Sequence, residues 1–338
     1  MNNTPAFIMP VKISGNELEL RHLMMSVECI KNQTDSDWIL IMVDDFSNNE
    51  NVSAAFDEIE TRLKERVHII RLEKNVGTGM ARNIAISYAN NIGAPFVLYN
   101  DSDDLPHPRW LETVREKFGS DDKVNVVYSS FDVIDENDDP VPWDSICMSV
   151  KDILIGHQKD ISEGENAWIS LSTRKNYTNL TSCTAVRTWL AFREPFPLQT
   201  ISEDTHAWFR YGAYPGKFAY IRDIKNRYRI CSGIESRSRS QNADFYKIKS
   251  RVDQEGFEQA AQIALRFRSV SPQEIPKIRL AFLIRLALSM LYGEYEEGAA
   301  ELIDLAFGMS KEQTLKHIES LDCDAVYKSK LKQMIPLQ

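Results

Sequence analysis

Five short apolar runs, separated by stretches of helical periodicity, occupy the chain through Tyr128 and leave few folds open to it. Ala6–Met9, Trp38–Val43, Val67–Leu72, Pro95–Tyr99 and Val124–Tyr128 read as buried strands. Between them, Glu17–Lys31, Val52–Lys64, Thr78–Asn91 and Pro108–Phe118 read as helices. Strands that alternate with helices in this way predict an α/β fold, a Rossmann-like and mostly parallel sheet covered by helices. Ligands of such sheets bind in the loops beyond the carboxyl ends of the strands.

Two acidic clusters fall at such ends. Asp44-Asp45 follows Ile39–Val43, and Asp101, Asp103 and Asp104 follow Phe96–Tyr99 in the stretch YNDSDDLP. Like charges this close repel unless something neutralises them. Two carboxylates one residue apart on a turn can face one pocket, and a hard cation such as Mg²⁺ or Mn²⁺ takes carboxylates together with substrate phosphates. A solvated acidic turn is the plainer alternative for either cluster alone; two clusters at equivalent strand ends favour a shared site.

A third acidic pair, Glu203-Asp204, follows Ser202, which reads as the N-cap of a helix. The carboxylates there either complement the helix dipole or supply a general base, with Asp204 the candidate. The segment Lys217–Ser240 reverses the local charge with seven Lys and Arg, and Arg229 is the one singled out for holding an anion. Phe131–Pro140 is acidic but lacks the central Gly and closing Glu of an EF-hand, and reads as a turn between strands. Trp143–Asn179 is polar and reads as an irregular loop over the site.

At 338 residues the chain is longer than one small domain. Past residue 240 the pattern becomes almost wholly helical: Ala243–Arg268, Pro272–Tyr292, Glu294–Phe307 and two shorter helices. This places a boundary near 240, with a catalytic domain over 1–240 and a helical extension over 241–338 suited to dimerisation or docking. On that reading, removal of 241–338 spares the catalytic residues and acts on fold stability or oligomerisation instead. A net charge of −9 argues against a general nucleic-acid binder. The five cysteines form no CxxC pair, which excludes an evident zinc ribbon or disulfide framework. No signal peptide is evident, and Leu280–Tyr292 is too short to span a bilayer. The expectation is a cytoplasmic protein with at most peripheral contact at the inner face of the membrane.

Taken in order, five segments resemble a family 2 glycosyltransferase with the GT-A fold. LMMSVECIKNQTDSDWILIMVDDFS resembles the family's opening, EKNVGTGMARNIAI its "N.G…ARN" helix start, and VLYNDSDDLPHPRWLE its DxDD loop. ISEDTHAWFRYG resembles its base-bearing helix and RYRICSGIESRS its closing "YR…S.S" segment. The resemblance covers roughly residues 5–240 and implies a metal-dependent, inverting hexosyltransferase using a nucleotide-sugar, with a UDP-sugar the first donor expected. It implies that Asp45 contacts the nucleoside and that Arg82 lies near the nucleotide. Asp101 and Asp103 would bind ribose, diphosphate and Mn²⁺ or Mg²⁺, and Asp204 would be the base. Pro10, Glu203 and Arg229 complete the implied donor-binding set. The implied acceptor is a glycan, a lipid-linked glycan or a protein. Lys12 and Ile13 stand where many relatives carry Tyr-Asn, and Cys231 where many carry His. Two alternatives remain at this point: a nucleotidyltransferase, and a non-catalytic sugar-binding or assembly protein on the same fold.

Overall fold

A computed structural model describes residues 4–174, 179–230 and 244–335. Its centre is an eight-stranded sheet in the order β3-β2-β1-β4-β7-β5-β8-β6. The strands are β1 (Ala6–Val11), β2 (Ile39–Asp44), β3 (Val67–Arg71), β4 (Phe96–Tyr99), β5 (Val124–Ile134), β6 (Gly164–Glu165), β7 (Thr184–Arg187) and β8 (Lys217–Arg229). The first four are parallel, β7 runs antiparallel between β4 and β5, and β8 lies parallel to β5.

The continuous apolar runs exist because both faces of the sheet are covered. Side chains alternate along each strand: Phe7, Met9 and Val11 of β1 pack to one side, Ala6 and Ile8 to the other. The first side is closed by α1 (Glu17–Lys31), α2 (Glu50–Leu63) and α4 (Trp110–Ser120), through residues such as Leu23, Phe56 and Trp110. Asn16 caps α1 by accepting the Glu19 amide, as a short polar side chain does at a helix start. The second side is closed by α3 (Thr78–Asn91), α6 (Ala167–Thr173) and α8 (Glu203–Ala213), with Ala81, Trp168 and Trp208 buried.

Trp143–Asn179 is more ordered than its composition implies. It forms α5 (Met148–Lys159), β6 and α6. The few apolar residues there are spaced to share a face, Val150 with Ile153 and Ala167 with Trp168 and Leu171, and their burial outweighs the polar remainder. Residues 175–178 lie outside the described residues.

The helical region comprises α9 (Phe245–Arg266), α10 (Ile275–Tyr292), α11 (Glu296–Met309), α12 (Lys311–Ser320) and α13 (Ala325–Gln333). It shares one core with the sheet. Phe257 of α9 stacks on Phe282 of α10 with ring centroids 4.1 Å apart, and also meets Trp168 of α6. At Gly256, α9 crosses α8 so closely that a Cβ would lie 2.9 Å from the Cα of His206. The apolar run Leu280–Tyr292 is therefore packed inside the protein, and no helix among the described residues is long and apolar enough to cross a membrane.

Helices α9 and α10 lie in the same core as the sheet and line the cavity, so their removal bears on the fold as well as on the site. Losing α9 and α10 uncovers Trp168, Phe209 and the face of α8, each such side chain forfeiting about 1.5–3 kcal/mol of burial. Expression of residues 1–240 is expected to yield insoluble chain or a species without a cooperative melting transition. A soluble 1–240 fragment that melts cooperatively would show the helices to be dispensable.

Candidate active site

The carboxyl ends of β1, β2 and β4 open on a cavity of about 500 Å³, closed on its far side by the first turn of α8, the end of β8 and helices α5, α9 and α10. Every residue expected at the site lines it: Pro10, Asp45, Arg82, Asp101, Asp103, Glu203, Asp204 and Arg229. Pro10 lies beyond the last β1–β4 pair, Ile8 with Tyr99, where β1 no longer has β4 beside it. Lys12, beside it on the rim, donates to the Phe46 carbonyl, while Ile13 is buried.

Asp45 organises a wall of the cavity. Its two carboxylate oxygens accept the amides of Val76 (2.6 Å) and Gly77 (2.9 Å), the residues that lead into α3. Gly77 has φ +87°, a conformation that side-chain-bearing residues rarely adopt, which accounts for a glycine at the end of Asn75-Val76-Gly77. One turn into α3, Arg82 projects into the site with only 3% of its side chain exposed. Its Nη2 meets Asp101 Oδ1 at 2.7 Å and its Nη1 meets Glu203 Oε1 at 3.0 Å. Burial alone would lower the Arg82 pKa, but the two carboxylates outweigh it and raise it. A single planar fork thus joins the acidic loop after β4 to the start of α8.

The acidic loop is itself braced. Asp104 is buried and accepts the Arg229 amide at 2.8 Å, which ties the loop to the end of β8. Ser182 Oγ accepts the Asp101 amide at 3.0 Å. Arg229 donates from Nε to the Asp103 carbonyl (2.9 Å) and from Nη1 to the Asp135 carbonyl (2.6 Å), and its Nη2 lies 2.6 Å from Asp138. The acidic segment Phe131–Pro140 therefore supplies the counterion of Arg229. Asp135 folds it by accepting the amides of Asn137 and Asp139. With the guanidinium turned toward the loop backbone, Arg229 is placed to shape the DxDD turn.

The first turn of α8 departs from the expected cap. Ser202 stands at the N-cap position but in the left-handed region, φ 60° and ψ 21°, and its side chain caps no α8 amide. Its hydroxyl instead meets Asp253 (2.5 Å) and Lys249 (3.2 Å) of α9. Asp204 is half-buried and accepts the Thr205 amide at 2.7 Å. Burial pushes its pKa up to about 6, against the Thr205 amide, Arg82 and Lys249, which pull it down. Burial likewise raises Glu203, and raises Asp104 well above the carboxylate range with Asp103 and Asp101 adding to the effect.

The cavity gathers the carboxyl groups of Asp45, Asp101, Asp103, Asp104, Glu203 and Asp204 against Lys12, Arg82, Arg229 and Lys249, a lining that suits a bound cation. Among the described residues no three His, Cys, Asp or Glu side chains stand together as a ready-made metal cage. Asp101 and Asp103, both half-buried on the cavity wall, offer the one or two carboxylates with which Mg²⁺ or Mn²⁺ is held when ligand phosphates complete the shell.

The family model described as glycosyl transferase family 2 matches residues 16–193, just over half of the chain. The chain belongs to glycosyl transferase family 2. An uncharacterized glycosyltransferase of Methanocaldococcus jannaschii is 32% identical over 127 residues, 38% of this chain and 42% of that protein. The alignment thus spans less than half of the length of that relative. In three dimensions, S. aureus TarS 1-349 in complex with UDP-GlcNAc superposes with a TM-score of 0.55 at 16% identity, covering 99% of this chain and 93% of that one. A Pyrobaculum calidifontis mannosyltransferase in complex with GDP-Man and Mn²⁺ gives 0.54 at 16% identity, covering 99% and 86%. These likenesses establish the GT-A fold for this family 2 member.

Sequence reasoning missed Ser182, Lys249 and Asp253. Ser182 lies in a polar segment with no periodic signal, and the pair on α9 faces a residue some fifty positions earlier. Of the expected set, Cys231 and the basic residues Arg237 and Arg239 lie outside the described residues.

Proposed function

We propose that the protein transfers a sugar from a nucleotide-sugar to an acceptor hydroxyl by direct displacement, inverting the anomeric carbon. The observation that carries this reading is the Arg82 fork, which holds Asp101 on the donor side and Glu203, next to the proposed base, against one guanidinium. Residues 1–240 carry the reacting groups, and 241–338 complete the far wall of the cavity.

Each residue has a part in this reading. Asp45 and the chain it ties at Val76–Gly77 form the nucleoside wall, with Pro10 beside it. Asp101 and Asp103 hold a divalent cation, Mn²⁺ or Mg²⁺, which when bound neutralises the diphosphate and eases its departure. Arg82 keeps the Asp101 carboxylate aimed at the diphosphate, and Arg229 fixes the turn that carries Asp103. Asp204 takes the proton of the acceptor hydroxyl as its oxygen attacks the anomeric carbon. A carboxylate titrating near 6 is ionised at neutral pH yet more basic than an ordinary Asp. A UDP-sugar is the first donor proposed, and the acceptor is a glycan, free or carried on lipid or protein.

A panel of UDP-, GDP-, dTDP- and CMP-sugars, each with Mn²⁺ or Mg²⁺, tests the reading through nucleotide release. Release from a UDP-sugar that disappears in EDTA is expected. Release from none, with no thermal stabilisation by any nucleotide, would remove the proposal. For Asp103→Ala, calorimetric titration with UDP plus Mn²⁺ is expected to show affinity at least about tenfold weaker, the loss of one of two carboxylate contacts to the cation. Unchanged affinity would sink the metal assignment.

A further inference from the structure

Lys249 and Asp253 are one turn apart on α9 and nearly inaccessible, with Lys249 Nζ 2.6 Å from Asp253 Oδ2. A charged pair this buried is rarely a gain in stability over apolar residues of similar size, so its presence calls for another reason. Its third member supplies one. The Ser202 hydroxyl donates to Asp253 Oδ1 at 2.5 Å and accepts from Lys249 Nζ at 3.2 Å. Ser202 occupies a left-handed backbone conformation that a serine adopts only when its surroundings enforce it. No hydrogen bond from its side chain to α8 enforces that conformation; the bonds to α9 are the ones the structure shows. The two residues after Ser202 are Glu203 and Asp204. One turn further along α8, His206 lies against Gly256, where a Cβ would come 2.9 Å from the His206 Cα, so the two helix backbones meet closely just beyond the turn.

We propose that Lys249 and Asp253 are positioning residues for Asp204: they pin Ser202 in the left-handed turn that starts α8 and so fix where the Asp204 carboxylate points. The inference rests on Asp204 as base. The pair acts on the turn through Ser202; Lys249 also lines the cavity and lowers the Asp204 pKa, an effect that Ser202→Ala leaves in place. The helical region thereby contributes to the chemistry without supplying a reacting atom.

Two variants test it. Lys249→Met with Asp253→Leu removes the pair without stranding a buried charge. Ser202→Ala removes only the hydroxyl and keeps the pair, so it carries the test if the double variant does not fold. Nucleotide release is followed with UDP-GlcNAc and with GDP-mannose, each with Mn²⁺, and UDP binding is titrated alongside. The expected result is a kcat lower by about ten- to a hundredfold, from misaligned approach, with donor KM within twofold. Lys249→Arg, which keeps a cation in reach of Asp253, is expected to recover most of the loss. In crystal structures of both variants the first turn of α8 is expected to re-form with the Asp204 carboxylate displaced relative to Arg82. Wild-type kcat in both folded variants, or an unmoved Asp204 carboxylate, overturns the proposal. A parallel loss of UDP affinity also overturns it, since that marks a general structural role. Asp204→Asn separates the two readings: full turnover in that variant removes the base assignment, while the crystal structures still decide whether the pair sets the turn.

Discussion

Asp204→Asn is expected to lower transfer by about two to four orders of magnitude, the range that a positioned general base contributes, while UDP still binds. The substitution keeps the size of the side chain and its place on α8, and removes only its ability to take a proton. The same residue predicts the pH profile. If Asp204 is the base, as proposed, activity needs its ionised form, so the rate is expected to fall tenfold per pH unit below about 6 and to level off above it. Stability moves the other way. The folded-state pKa is raised, so the contribution of Asp204 to folding is fully present below the ordinary carboxylate range and is lost as pH rises through about 6. The enzyme is thus expected to gain activity over the interval in which this group ceases to stabilise it, and Asp204→Asn to suppress that component of the pH dependence. An acidic limb that persists unaltered in the residual activity of Asp204→Asn, or transfer at the wild-type rate, would remove Asp204 as the base.

The second large effect is expected at Arg82. Arg82→Leu leaves the carboxylates of Asp101 and Glu203, 33% and 15% exposed, facing each other on the cavity wall without their shared cation. Breaking a buried pair by removing one partner costs about 3–5 kcal/mol, and here one cation serves two anions. The variant is expected to unfold at markedly lower urea and to lose UDP–Mn²⁺ binding, because Asp101 is no longer held. Arg82→Lys is expected to recover only part of either property, since one ammonium lacks the planar fork that reaches both carboxylates at once. Wild-type urea midpoint and UDP affinity in Arg82→Leu would show that the fork joins nothing of consequence.

Much of this architecture can be read from residues before any coordinates. β1, β2 and β4 announce themselves because parallel strands covered on both faces are apolar along their length, and Ala6–Val11 is buried at every position. The DxDD turn and Glu203-Asp204 are legible as chemistry, and their order along the chain reveals the family. β7 is not: its four residues, Thr-Ala-Val-Arg, give no run and no period, and only pairing with β4 and β5 makes them a strand. The helices within Trp143–Asn179 are masked by Ser, Asn and Gly, because a helix needs only a few well-spaced apolar contacts when a core is waiting for it. Ion pairs such as Arg82 with Glu203, and the contact of Ser202 with α9, depend on long-range approach and leave no trace in local sequence.

The position of β7 has a consequence for how the molecule is made. β4 ends at Tyr99 and β5 at Ile134, yet the strand that lies between them begins only at Thr184, and the second neighbour of β5 begins at Lys217. A ribosome delivers the chain in order at about 5–20 residues per second. For several seconds, then, the emerging half-molecule has two apolar strands whose inner edges have nothing native to pair with. Protection of nascent chain, by chaperone or by the pace of translation, matters most in the interval between Ile134 and Lys217.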